Sequence, residues 1–472
     1  MTTKTYLHLF LRSIGFIHLI NFCSILVQIL PLIGQNGIAP LTLNLSRLHE
    51  LSNGSYWIYF YIPSIYWWNA SDSFLILSTS IGILASTCLT CSLFNSSRIC
   101  LILCWMVLLS LNTSGGEFFA FPWDWLLLEA TLLSFFLPSL KILQQMKPQN
   151  KIDPCLRFSF VWLIVRFYLG MGLEKLPWLN DNPYWTNYTY LKRFYETEQP
   201  MPTLLAYYAH HLPMWFHKVS CFGTFVFEIV SPLICCFYGR CGRSARNIGG
   251  IGMVLFQFPI MLTGNYSILN LLTIALCIPL FEFEEINKDA KKKADTCLIQ
   301  TLPVGLRMLL LVHSLVGLLL LGRTVESLDY LSNTKWIMNK KLYATSFVSN
   351  YLHFPKESLV VLSAWKMCNG YGGVFHDSFA HEGKIVLLLE GSVDGVVWEP
   401  IQWKWHVHDV NQVSLDRSIK NTDIYKKTLK ITLFALFFFF FFSLYIYLTH
   451  IATVTICTIF STTRSYGVLL CE

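Results

Sequence analysis

Nine stretches of this chain, near residues 8–33, 73–94, 99–113, 119–140, 158–176, 221–238, 247–263, 266–282 and 303–322, are apolar over lengths that approach or reach the thickness of a bilayer. A spanning helix needs about 20 apolar residues at about 1.5 Å each, and a chain that repeats such runs can bury them only in a membrane. Charge is scarce to match: 13% of the 472 residues, against roughly a quarter in soluble domains. The expected fold class is mainly α, a polytopic transmembrane helical bundle of about nine spans over residues 1–322. The first run is too long for a signal-peptide core and reads as a span. The net charge of +7 does not call for nucleic acid, because basic residues mark the cytoplasmic loops of membrane proteins. Membrane lipid is the first expected partner.

Those basic residues set an orientation. With the N-terminus cytoplasmic, the cytoplasmic connections carry Arg98, then Lys141, Lys147, Lys151 and Arg157, then Arg240, Arg243 and Arg246, then Lys288 and Lys291–Lys293. The opposite loops carry fewer, and residues beyond 322 fall on the non-cytoplasmic side. Sequons at Asn44, Asn53, Asn69 and Asn187 lie in non-cytoplasmic loops and are candidate glycosylation sites. The fifteen cysteines are scattered through apolar runs and form no disulfide framework; Cys88 and Cys91 share a CxxC spacing inside an apolar helix, which reads as packing.

Ionisable residues inside the apolar runs are the main chemical signal. Asp124 and Glu129 interrupt Phe118–Leu137, where a carboxylate must face the protein interior and find a partner. Five residues turn a helix by about 140°, so the two face different neighbours and are not a side-by-side acid–base pair. Arg166 lies near mid-span, with Asp124, Glu129 or Glu228 as candidate partners. Lys175 sits near the end of the same run, where it snorkels or, if desolvated, serves as a base. With Glu174, these six form an expected intramembrane polar network.

Two non-cytoplasmic regions stand out. Residues 177–220 are crowded with aromatics, suiting helices at headgroup level; Tyr195, Glu196, Thr197, Gln199, His210, His211, Trp215 and His217 are its site candidates. The His spacing matches no recognised metal-ligand set, and neither a metal nor another cofactor is expected. Residues 323–420 read as a small β-rich domain: Leu359–Leu362 and Lys384–Trp398 have strand character, with Gly391–Gly395 as the turn. Its candidates are Asn369, Tyr371, Gly372, Glu390, Gly391, Asp394, Gly395 and Trp398. Residues 421–472 are an apolar low-complexity tail with six consecutive phenylalanines, either an extra span or translated non-coding sequence.

Several blocks, in order, resemble the lipase maturation factor family. They are Gly34–Pro40, Ile65–Asp72, Phe121-Pro-Trp-Asp-Trp-Leu-Leu-Leu-Glu-Ala130, Arg166–Leu176, Tyr195–Pro202, Tyr208–His217, Phe227–Pro232, Leu262–Tyr266, Asn369–Gly372 and Glu390–Trp398. The resemblance covers about residues 10–405. It implies a multi-span protein of the endoplasmic reticulum, not an enzyme, that assists folding, assembly or maturation of secreted lipases of the lipoprotein lipase type. Lumenal chaperones are possible further partners. The cysteines usual in the family's lumenal loop are replaced here by residues such as Tyr184, Tyr188 and Tyr190. The family's β-domain pattern fades after Trp403–His406, so the domain here is expected to be incomplete. The bundle type also resembles, distantly, the vitamin K-dependent carboxylase. An integral-membrane enzyme acting on a lipid-like cofactor or lumenal substrate is therefore the alternative expectation.

Overall fold

Backbone N–H and C=O groups in hydrocarbon have no water to bond, so a spanning segment must satisfy them along its own length, which a helix does. The computed structural model describes residues 3–93, 97–119, 121–138, 151–176, 183–197, 203–236, 242–281, 299–300, 302–333, 362, 364–372, 390–391 and 399–400. In chain order the helices begin with α1 (Thr3–Ile33), α2 (Leu41–Leu51), the single turn α3 (Ile58–Tyr61), α4 (Asp72–Cys91), α5 (Ser97–Ser114) and α6 (Pro122–Ser134). After the short strand β1 (Lys151–Ile152) come α7 (Pro154–Glu174), α8 (Pro183–Thr186), α9 (Tyr190–Thr197), α10 (Leu204–His210), α11 (Met214–Phe225), α12 (Ser231–Cys235), α13 (Gly242–Thr263) and α14 (Leu269–Cys277). Strand β2 (Ile299–Gln300) precedes α15 (Val304–Asn333), and β3 (Glu390–Gly391) and β4 (Glu399–Pro400) follow.

Among the described residues, seven helical segments are long and apolar enough to cross a membrane: Tyr6–Ile33, Asp72–Cys91, Ser97–Ser114, Pro154–Glu174, Met214–Cys235, Ser244–Thr263 and Val304–Leu321. The two remaining apolar runs form shorter helices, α6 of 13 residues and α14 of 9. Their rises are about 20 Å and 14 Å, short of the ~30 Å hydrocarbon thickness. Both are largely enclosed. Leu126, Leu127, Leu128, Glu129 and Ala130 of α6 are completely buried, as are Leu272, Ala275, Leu276 and Cys277 of α14. The long helices instead leave apolar side chains uncovered, such as Leu84, Ile102, Leu255 and Leu315, as lipid-facing surfaces do.

Small residues set the closest approach. Gly82 of α4 lies beneath the Phe22 ring of α1, where an added Cβ would come within 2.9 Å of Phe22 Cε2, so α1 and α4 pack along a stripe of Ser78, Gly82 and Ser86. The polar members of α4 bond their own helix: Thr79 Oγ1 donates to Leu75 O at 2.8 Å and Thr90 Oγ1 to Ser86 O at 2.7 Å. At one end of the bundle, β1 pairs with β2 in parallel. There Asp153 caps α7 through Cys155 N at 2.9 Å, and its second oxygen accepts from Leu302 N at 2.9 Å and Arg307 Nε at 2.8 Å. Burial alone would raise the Asp153 carboxyl, but these N–H groups and the guanidinium outweigh it and hold the group below its ordinary value.

The chain divides into two compact units, Met1–Lys384 and Ile385–Glu472. In the second unit the described structure is one antiparallel pair, Glu390 opposite Pro400 and Gly391 opposite Glu399. A β-rich domain over 323–420 therefore remains an expectation beyond that pair. Asp394, Gly395, Trp398 and the tail 421–472 lie outside the described residues. Of the expected strand Leu359–Leu362, Leu362 alone is among the described residues. Leu362 and Ala364 are helical, and Met367 N closes the turn on Leu362 O at 3.0 Å, which directs Cys368 and Asn369 inward.

Candidate functional site

Pro122 at the first position of α6, after the extended Phe121, starts the helix so that Asp124 and Glu129 point to different neighbours. Asp124 accepts from Asn21 Nδ2 of α1 at 3.2 Å, and one turn along the same contact His18 Nε2 meets Thr131 Oγ1 at 2.8 Å. Glu129 faces α7 and α15. Its Oε1 pairs with the Arg166 guanidinium and lies 2.9 Å from His313 Nε2. Its Oε2 accepts from Tyr371 OH at 2.7 Å, Asn369 N at 3.1 Å and Asn369 Nδ2 at 3.2 Å. Of the three candidate partners for Arg166, the fold selects Glu129. Both groups are within 1% of complete burial.

Three of the five donors on Glu129 come from residues some 240 positions away in sequence. Residues 362–372 act as a strap laid into the bundle. Trp365 Nε1 donates to Phe60 O at 3.0 Å and its ring stacks on Trp105 at 6.2 Å. Lys366 lies over the Trp125 ring at 4.5 Å; burial lowers its ammonium to about 8. Its backbone is left-handed, φ 50°, a conformation costing a non-glycine residue about 1–2 kcal/mol and here held by the flanking contacts. Met367 O lies 3.0 Å from His313 Nε2; since both neighbours of that nitrogen only accept, the ring proton belongs there. Cys368 Sγ is 2.8 Å from Arg166 Nη1. Gly170 and Gly317 make the fit possible: a Cβ on the first would collide with Tyr371 O and on the second with the guanidinium.

Glu129, His313 and Cys368 offer three ligand atoms within 4.8 Å of one another, a donor set that could suit zinc. Arg166, however, already engages both the carboxylate and the sulfur. A dication there would sit against a buried guanidinium, so the arginine is the cation this pocket is built around.

Two further polar clusters join the helices. Lys175, at the end of α7, places Nζ 2.7 and 2.6 Å from the two oxygens of Glu228. Glu228 lies in a π-helical turn, Val226–Val230, that links α11 to α12. Pro232 has no N–H for the Glu228 carbonyl one turn back, and the wider turn absorbs that mismatch. Deeper in the bundle, Gln257 Nε2 donates to Tyr168 OH at 2.5 Å, Tyr168 OH to Met253 O at 2.9 Å, and Asn270 Nδ2 to Gln257 Oε1 at 2.9 Å. Tyr168, Gln257, Asn270, His18, Asn21 and His313 are absent from the candidates read in sequence. Each is a lone polar residue in an apolar run, and that was the available signal.

The remaining candidates do not converge on a common point. His210 Nδ1 lies 3.3 Å from Lys192 O, His211 Nδ1 2.8 Å from Tyr207 O, and His217 Nε2 3.2 Å from His210 O. Tyr195 stands 6.2 Å from the His217 ring, and burial raises its phenol above the ordinary value. Trp215 is exposed. Glu196 and Thr197 close α9, Glu174 closes α7 half-buried, and Gln199 lies outside the described residues. Gly372 ends the strap, and Glu390 and Gly391 form β3. Among the sequons, Asn53, Asn69 and Asn187 are exposed. Asn44 is half-buried and spends its Nδ2, the atom a glycan would occupy, on Ser114 O at 2.6 Å.

The family described as the lipase maturation factor transmembrane domain matches residues 5–288. The chain is 29% identical over 362 residues to lipase maturation factor 1 of Mus musculus, covering 72% of this chain and 61% of that protein. To lipase maturation factor 1 of Homo sapiens it is 30% identical over 278 residues, 58% of this chain and 47% of that protein. To lipase maturation factor 2 of Gallus gallus it is 33% identical over 288 residues, 59% and 39%. The matches thus span from about two fifths to about three fifths of those relatives' lengths. No solved structure matches the chain.

Proposed function

The chain belongs to the lipase maturation factor family, and from that premise we propose that it is an endoplasmic reticulum membrane protein that assists folding, assembly or maturation of secreted lipases of the lipoprotein lipase type. The observation that carries the reading is the match of the family's transmembrane domain across residues 5–288. Within the first unit, Asn369 and Tyr371 of the strap bond the buried carboxylate of Glu129. In this reading the N-terminus is cytoplasmic, the region after α15 is lumenal, and clients with transiently exposed apolar surface are met on that side. No covalent chemistry is required of the clusters, whose carboxylates are already engaged by arginine, lysine or amide groups.

Deleting the gene in a lipase-secreting cell is expected to lower the specific activity of the secreted lipase, with recovery on re-expression; unchanged specific activity per unit of lipase protein would reject the proposal. The orientation has its own test. Endoglycosidase treatment of the protein from microsomes is expected to give a mobility shift that disappears with Asn53→Gln. Asn44→Gln is expected to leave the pattern unchanged, because its amide is already bonded to α5. A glycan absent from Asn53 would contradict the assigned side.

A further inference from the structure

We propose that residues 56–71, the aromatic stretch of the connection from α1 to α4, lie in the membrane interface as an aromatic apron, with Tyr56, Trp57 and Trp68 seated among the headgroups of the adjoining leaflet. The proposal adds a lipid-contact surface to the client-directed reading above and does not depend on it. The segment from Leu51 to Ser71 contains no formally charged residue but holds Tyr56, Trp57, Tyr59, Phe60, Tyr61, Tyr66, Trp67 and Trp68. Two of these rings turn inward: Tyr66 is buried with its hydroxyl 3.0 Å from Ser78 Oγ, and Trp67 Nε1 donates to Ile62 O at 2.9 Å. Others turn outward, Tyr56 86%, Trp57 68% and Trp68 93% exposed.

The outward rings are held in place. Thr113 Oγ1 donates to Pro63 O at 2.9 Å, Ile65 N to Ser110 Oγ at 3.0 Å and Gln35 N to Asp72 Oδ1 at 2.8 Å. These bonds fix the apron to the end of α5 and the start of α4. Chain length then limits its height. Trp68 precedes Asp72, the first residue of a span, by four residues, at most about 14 Å of chain. Ile38, 77% exposed, follows the end of α1 by five. The headgroup zone is about 5–7 Å deep on each side of the hydrocarbon, within that reach. The apron is continuous with the uncovered apolar faces of α4 at Ile76 and Leu77, which the spanning assignment already places in lipid. Tryptophan and tyrosine are the side chains that concentrate at this depth, and so large an aromatic face is rarely left to water. An open recess of about 450 Å³ between Tyr59, Ser64, Ile65, Trp67 and Trp68 leaves room for part of a lipid headgroup.

The full chain in phosphatidylcholine bilayer discs, exposed to hydroxyl radicals and read peptide by peptide in a mass spectrometer, tests this directly. His49 on α2 is exposed and is expected to oxidise, reporting that radicals reach the apron. Oxidation of Trp57 and Trp68 is expected to be lost in the same sample, although tryptophan is intrinsically the more reactive. Trp57 and Trp68 oxidising as readily as His49 would overturn the proposal. If their protection appeared only after purified lipase was added, the face would belong to a protein client and the lipid assignment would fall.

Discussion

Arg166→Leu is expected to cost the bundle about 3–5 kcal/mol, the penalty for leaving one member of a buried ion pair without its partner. Net stabilities of folded proteins are about 5–15 kcal/mol, so most of the variant should be lost to degradation in cells. The fraction that is purified in detergent should unfold at a clearly lower temperature. The reason lies in how Glu129 is satisfied. The donors from Tyr371 and Asn369 carry no charge, so they do not replace the guanidinium once it is gone. Glu129→Leu combined with Arg166→Leu removes both charges, and stability should recover substantially, because a buried pair and a well-packed apolar replacement differ far less than either differs from a lone charge. Arg166→Leu with unchanged unfolding temperature and cellular level would mean that the pair is not sealed from water.

What was legible in the sequence was governed by local periodicity. Runs such as Asp72–Cys91 and Pro154–Glu174 are helices because their apolar length leaves no alternative in a bilayer, and the 140° offset of Asp124 from Glu129 placed them on different neighbours. The identity of those neighbours was not legible. Arg166 had three carboxylates in plausible reach, and the choice of Glu129 depends on Gly317 leaving space for the guanidinium, a contact between α7 and α15. The strap was hidden for a related reason. Asn369-Gly-Tyr-Gly372 reads locally as a turn, and nothing within its own window reports a carboxylate 240 residues earlier. The stretch Tyr56–Trp68 carries a subtler signal than the richer aromatic loop after α7: it is free of charge and ends four residues before a span.

Gly170→Ala should expel the strap while leaving its host helix better formed, and this separates the strap's role from general damage. Alanine is favoured over glycine in a helix by about 1 kcal/mol, so α7 itself gains. The new methyl group, however, would stand where Tyr371 O now lies, and backbone on both sides leaves little freedom to move apart. Displacing the strap takes three of the five donors from Glu129, each unsatisfied bond costing about 1–3 kcal/mol until water replaces it. It also uncovers Cys368, which is 2% exposed against Arg166 and His313. Maleimide labelling resolved at the peptide level should therefore find Cys368 blocked in the parent protein and reactive in Gly170→Ala. Gly305→Ala, where an added Cβ meets nothing within 4 Å, should label like the parent. Cys368 equally unreactive in both variants would show that the strap can shift without opening, and its role as the cover over Glu129 and Arg166 would have to be abandoned.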